Sequence, residues 1–270
     1  MSAAQLGSPQ TEKILSRKED GIGWLTINQP ERRNAVSLAM WDAIARICTD
    51  FATDPSVRVV VLHGAGDRAF ASGADISEFE KVRADAAAEA AYRARTAQAG
   101  NSLLTLGKPL IAMIRGYCVG GGLAIALKAD IRVASDDSHF AIPAAKLGLA
   151  YSRSGLAPLV HLVGPAIAKE MLMTGRLFTA KEAYEARLIN RVVSPEMLVK
   201  ETTELARQIA ENAPLTVHAA KVTIDDLSRA AQAADPAALE ALYQSCFDSE
   251  DFAEGRRAFM EKRKPGFVGR

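Results

Sequence analysis

Apolar positions along the chain fall into two periods, and the changes between them outline its elements. Val59-Val60-Val61-Leu62 and Leu110-Ile111-Ala112-Met113-Ile114 are unbroken apolar runs, as expected of neighbouring strands buried on both faces. Lys13 to Ser16 and Gly23 to Asn28 also read as strands. Ser37 can cap a helix whose apolar face is Leu38, Trp41, Ile44, Ile47 and Phe51, a spacing of three and four residues. The alanine-rich stretch Ala84 to Leu106 predicts another helix. Strand and helix signals alternate up to Pro195, which implies a stacked α/β sheet core. Beyond it the pattern is almost wholly helical, with breaks expected near Pro214, Pro236 and Gly255.

Two glycine-rich stretches interrupt this rhythm: Phe70-Ala71-Ser72-Gly73-Ala74-Asp75-Ile76 and Gly116-Tyr117-Cys118-Val119-Gly120-Gly121-Gly122. Each follows an apolar run and ends where a helix can begin. A chain built this way can hold two converging backbone N–H groups. Rigid donors of that kind stabilise an oxyanion, and losing one costs about 10²–10³ in rate. Such turns also serve tight turning and close packing alone. Small residues at both turns, after strands that look like neighbours, point to carbonyl or thioester chemistry.

Composition narrows the class. The 270 residues, 49% hydrophobic and 24% charged, can bury a sizeable core and fit one large domain, or one domain with a small helical appendage. A net charge of +1 argues against a broad nucleic-acid or membrane surface. No apolar run of about 18 residues appears, so no membrane-spanning helix is expected. Met1 to Lys13 lacks the apolar core of a secretory signal and the arginine-rich pattern of a transit peptide, so a cytoplasmic protein is expected. Cys48, Cys118 and Cys246 are odd in number and widely spaced, which suits buried or free thiols. No histidine, cysteine and carboxylate cluster has metal spacing and no phosphate loop of the Gly-Lys-Ser type occurs. Neither a metal nor a separate cofactor is expected.

Five segments, in order, resemble the crotonase (enoyl-CoA hydratase/isomerase) superfamily. They are Asn28-Gln29-Pro30-Glu31-Arg32-Arg33-Asn34-Ala35, Ala71-Ser72-Gly73-Ala74-Asp75-Ile76, Gly116 to Gly122, Asp130-Ile131-Arg132-Val133-Ala134, and Phe259-Met260-Glu261-Lys262-Arg263-Lys264-Pro265. Each is short, and it is their succession that is specific. The resemblance implies an α/β fold in which strand-strand-helix turns form a spiral over residues 13–195. A flexible tail at 1–12 precedes it, and a C-terminal helical layer at 196–270 mediates trimerisation, as a homotrimer or a dimer of trimers. The implied substrate is an acyl-CoA, with coenzyme A as part of the substrate. The implied oxyanion hole is the N–H groups of Ala74 and Gly121. The stretch containing Ala71, Ser72, Ala74, Asp75 and Ile76 is implied to lie along adenine and pantetheine, with Arg33 a weaker candidate for the phosphates. Phe259 and Lys262 would meet the coenzyme from a neighbouring subunit. For Arg33 and Lys262 an ordinary solvated charge is an equal reading, and for Phe259 core or interface packing.

The departure from the family pattern carries as much information. Hydratases of the family have a glutamate just after the Gly-Gly-Gly turn and another after the proline of the later loop; here those positions are Ala124 and Ala144. General acid-base catalysis by each group is worth about 10²–10⁴, so the usual proton carriers are missing. The loop Leu147 to Ser154 is similar to that of the family's malonyl-type CoA decarboxylases, whose tyrosine falls at Tyr151. Loss of carbon dioxide itself generates the enolate, so no carboxylate base is required. Tyr151 could orient the departing carboxylate or supply a proton, and Arg153 could attract it. Asp75 is expected to cap or orient its turn, Ser72 to permit close backbone approach, and His63 and His139 to be structural. Three functions follow: a CoA-thioester lyase or isomerase, most specifically a decarboxylase; a hydratase with relocated acid-base groups; and a non-catalytic acyl-CoA-binding scaffold.

Overall fold

The computed structural model describes residues 13–75, 86–147, 151–228, 241, 245, 248–261 and 263–270. The tail at 1–12, Ile76, Pro236, Cys246 and Lys262 lie outside these residues. Strand β1 (Ile14–Glu19) folds back antiparallel on β2 (Ile22–Ile27). Asp20 and Gly21 join them with φ of 52° and 78°, the left-handed pair that a two-residue hairpin requires. Parallel to β2 run β3 (Val59–Gly64), β5 (Leu110–Ile114), β7 (Ile131–Ser135) and β10 (Arg191–Val193), completing a sheet in the order β1-β2-β3-β5-β7-β10. A second sheet, β4-β6-β8-β9, consists of short strands: β4 (Ala69–Ala71), β6 (Tyr117–Val119), β8 (His139–Ala141) and β9 (Phe178–Thr179). After β3, β5 and β7 the chain steps each time from the large sheet to the small one. The result is a repeated strand-strand-helix turn.

Among the described residues the helices are α1 (Leu38–Thr53), α2 (Ala86–Leu104), α3 (Gly121–Ala126), α4 (Arg153–Thr174), α5 (Ala180–Glu185), α6 (Leu198–Ala210), α7 (Pro214–Ser228) and α8 (Glu250–Glu261). Ser37 caps α1, its hydroxyl accepting from the Met40 N–H. The large sheet buries both faces, which explains its unbroken apolar runs. Val60, Leu62, Ala112 and Ile114 join a core with Met40, Ile44 and Phe51 of α1 and Leu103 of α2. The alternate residues Val59, Val61, Ile111, Met113 and Val133 meet Leu198, Leu205 and Ala206 of α6 on the opposite face.

Several expectations are revised. The first strand extends past Ser16 to Glu19 because its exposed polar residues pair along an edge with β2. The second begins at Ile22 and stops at Ile27, and the alanine-rich helix starts at Ala86. Gly255 does not break the chain; it lies within α8. Glycine there costs the helix about 1 kcal/mol, but the first turn is held by tertiary bonds. The N–H groups of Glu250 and Asp251 donate to the Arg270 carbonyl, and the Asp251 carboxylate accepts from the Val268 and Gly269 N–H groups. Within α4, Gly155–Thr174 is long and apolar enough to cross a membrane by length and composition, a stretch not singled out from the sequence. It is kinked at Gly164, where φ is 73° and Pro165 follows, and it buries Leu159, Ala168 and Met171 in the core, as a helix flanking a core does. Cys48 and Cys118 are buried free thiols, as expected.

Candidate active site

The two glycine-rich turns meet because each ends a strand of the small sheet. Strands β4 and β6 are parallel neighbours with Ala71 opposite Cys118. Gly122 permits the contact: a Cβ there would lie 2.0 Å from the Ala71 carbonyl oxygen, a separation no side chain survives. Only glycine lets these backbones touch.

The first turn is held from outside by residues 29–36. Asn34, fully buried at φ 55°, accepts from the Gln29 N–H at 2.9 Å and donates to the carbonyls of Ala65 at 2.9 Å and Ala69 at 2.7 Å. Val36 then runs beside Ala74: its N–H donates to Gly73 at 2.8 Å, and its carbonyl accepts from Asp75 at 3.1 Å. In a parallel bridge of this kind the intervening residue's own N–H points the other way. The Ala74 N–H is thereby turned from Val36 toward the second turn. There Gly120, at φ 56°, ends β6 and leaves Gly121 as the first residue of α3, whose N–H has no intrahelical acceptor. A Cβ on Gly121 would lie 3.3 Å from the Ala74 nitrogen, and one on Gly73 3.4 Å from the Gly121 nitrogen. Neither N–H has a backbone acceptor among the described residues. Two adjacent free donors suit a single oxygen that gains negative charge.

Tyr151 closes one side. Its hydroxyl lies 4.0 Å from where a Gly120 Cβ would be, and it has no hydrogen-bond partner among the described residues. Burial pushes the phenol up from its ordinary pKa, because the phenolate is the form that burial penalises. Gly155 leaves room for the ring, a Cβ there falling 3.6 Å from its edge. Ser152 caps α4 by accepting from the Gly155 N–H at 3.2 Å, and Arg153 is exposed at the start of that helix.

The remaining sequence candidates divide. Ala124 is half-buried on α3, one turn beyond Gly121, and Ala144 is buried in the 3-10 turn Pro143–Leu147. Ala71 is fully buried beneath the turns. Ser72 is half-exposed and its N–H donates to the Arg33 carbonyl at 3.0 Å. The Asp75 carboxylate, 7% exposed, accepts from Arg32 at 3.0 Å, so it ties its turn to residues 29–36. The Arg33 guanidinium sits over the Tyr117 ring at 5.8 Å, and that ring stacks on His139 at 5.5 Å. His63 meets the Thr26 hydroxyl at 2.9 Å and the Gly64 carbonyl, and burial lowers its pKa. Ile76 and Lys262 lie outside the described residues, as does the side chain of Phe259, whose backbone belongs to α8. The structure thus gathers Ala74, Gly121 and Tyr151. Arg32 and Asn34, which shape the first turn, stand in the sequence only as members of the first family-like segment, with no role of their own. The one available signal was an asparagine beside a turn, a residue that tolerates left-handed backbone.

Comparison with known proteins agrees with this architecture. The enoyl-CoA hydratase/isomerase family model matches residues 17–270, and the chain belongs to that family of enzymes. A carnitinyl-CoA dehydratase of Salmonella arizonae is 38% identical, with 96% of this chain and 99% of that protein aligned. A crotonyl-CoA hydratase of Syntrophomonas wolfei is 32% identical, with the same coverage. The crystal structure of an enoyl-CoA hydratase/carnithine racemase from Magnetospirillum magneticum superposes with a TM-score of 0.92 at 38% identity, covering 96% of this chain and 97% of that one.

Proposed function

We propose that the enzyme binds an acyl-CoA thioester with its carbonyl oxygen between the N–H groups of Ala74 and Gly121, and decarboxylates a malonyl-type acyl group. The observation that carries this reading is the pair of adjacent, unbonded donors, combined with alanine at 124 and 144. In this mechanism the bond from the α-carbon to the carboxylate breaks, and its electron pair becomes the enolate. The charge comes to rest on the thioester oxygen, where two rigid N–H groups receive it. No base is needed for that step. Tyr151, kept neutral by burial, then gives its proton to the α-carbon and is reprotonated from water. Ser72, Ala74, Asp75 and Ile76 line the pantetheine and adenine, Arg33 faces the phosphates, and Phe259 and Lys262 reach a neighbouring subunit's coenzyme.

A homotrimer, alone or paired, is proposed with it. Its support is the apolar surface near the end of α4, where Met173 is 72% exposed and Leu177 45%. A cytoplasmic location is proposed from the sequence alone. The second reading, hydration or dehydration, is favoured by the names of the two relatives; it requires acid-base groups other than residues 124 and 144. Incubating the purified enzyme with methylmalonyl-CoA and with crotonyl-CoA decides between them. Carbon dioxide and propionyl-CoA from the first alone support decarboxylation, and hydroxyacyl-CoA from the second alone refutes it. Binding of both without turnover points to a scaffold.

A further inference from the structure

Helix α3 has one accessible stripe. From Gly121 to Lys128, residues Gly122, Leu123, Ile125, Ala126 and Leu127 are buried, while Gly121, Ala124 and Lys128 are only partly so. Spacings of three and four put those three on one face. The hydrogen bonds of the Leu127 and Lys128 N–H groups to the carbonyls of Leu123 and Ile125 continue the winding past Ala126. The stripe opens at the Gly121 N–H and ends at a lysine amine. Lys128 lies about 10 Å further along the axis, and its side chain, leaning toward the helix N-terminus, closes part of that distance. At Ala124, between the two, only a methyl group intervenes.

The amine is placed with some care. A Cβ on Gly100 of α2 would lie 2.7 Å from Lys128 Cε and 3.0 Å from Nζ, so the lysine's flexible end rests where an added methyl group would displace it. Among the described residues Nζ has no hydrogen-bond or ion-pair partner. Burial, with no charge nearby to offset it, lowers the lysine pKa. Two other inward lysines among the described residues are matched: Lys221 pairs with Asp130, and Lys108 donates to the carbonyls of Phe51 and Asp54. A half-buried amine without a counter-ion is costly unless a ligand brings one.

We propose that Lys128 is a specificity-determining residue whose amine receives a terminal carboxylate at the far end of the acyl chain of a thioester bound at the Ala74 and Gly121 donors. The inference rests on the thioester binding there and adds the identity of the acyl end. The carboxylate on the α-carbon, the one that leaves, lies beside Tyr151; Lys128, a further stretch along the stripe, meets an additional terminal carboxylate several carbons away, at the separation that a glutaryl or adipyl chain spans.

The test is equilibrium binding of glutaryl-CoA and valeryl-CoA, which share a chain length and differ in one carboxylate. The wild-type enzyme should favour glutaryl-CoA by about ten- to a hundredfold, the strength of a charge-assisted hydrogen bond. Lys128→Met should reduce that ratio to near one. Gly100→Ala keeps the lysine but displaces its tip, and alanine favours the helix at that position. It should lower the ratio with no loss of thermal stability. A wild-type ratio near one, or a ratio that survives Lys128→Met, overturns the inference alone. A ratio lost instead in Arg153→Gln assigns the carboxylate to the start of α4 and also overturns it. An enzyme that binds neither thioester overturns the proposed function itself.

Discussion

Gly122→Ala tests the geometry on which the reaction depends. The new methyl would stand 2.0 Å from the Ala71 oxygen, 2.6 Å from its carbonyl carbon and 2.9 Å from its Cβ. These atoms belong to β4, held in its sheet by β6, so no side chain can swing aside. Restoring van der Waals contact requires the turns to part by roughly 1 Å. The Ala74 and Gly121 N–H groups then no longer converge on one oxygen. A misplacement of that size costs about 100-fold in rate, or about 2.7 kcal/mol of transition-state stabilisation. Overpacking the core adds a stability loss of about 1–3 kcal/mol, which a folded enzyme of this size tolerates. Steady-state kinetics with the substrate that turns over, together with circular dichroism and thermal melting, separate the two effects. The expected result is a kcat lower by about two orders of magnitude, a modestly lower Tm and an unchanged spectrum. A folded variant with undiminished kcat refutes the argument that the spacing of the turns sets the chemistry.

Other outcomes follow from named groups. Tyr151→Phe keeps the ring packed against Gly155 and removes the proton donor, so kcat should fall by about 10²-fold or more with little change in KM. Burial raises the folded-state pKa of this phenol, so activity that needs the protonated form persists through neutral pH and declines only as pH rises through the raised value. That alkaline limb should be missing in the phenylalanine variant, and its survival there assigns it to another group. Asn34→Ala removes one acceptor and two donors from a fully buried position. It leaves backbone groups of Gln29, Ala65 and Ala69 without partners, for a loss of about 3 kcal/mol and a Tm drop of roughly 6–12 °C by calorimetry; a shift of a degree or less contradicts the anchoring role.

Sheet and helix signals were legible wherever an element was long enough to repeat its period. Strand β3 and helix α1 emerged from their apolar spacing, and the glycines of both turns stood out at once. The small sheet did not. Its strands are two or three residues long, fewer than two alternations, so no pattern distinguishes them from the turns they end in. Asn34 and Arg32 had no legible role of their own for a similar reason: their partners at Ala65, Ala69 and Asp75 are 31 to 43 residues away.

By itself the chain's order of residues determined the family, the layering of strands and helices, and the use of glycine at 73, 120, 121 and 122, because these depend on local period and on segments met in succession. Tertiary structure alone decided which N–H groups are left unbonded, that Gly122 rests on Ala71, and that the end of Lys128 rests against Gly100. Each of those is a contact between residues distant in the chain or a burial imposed by neighbours, and sheet register and helix packing set it.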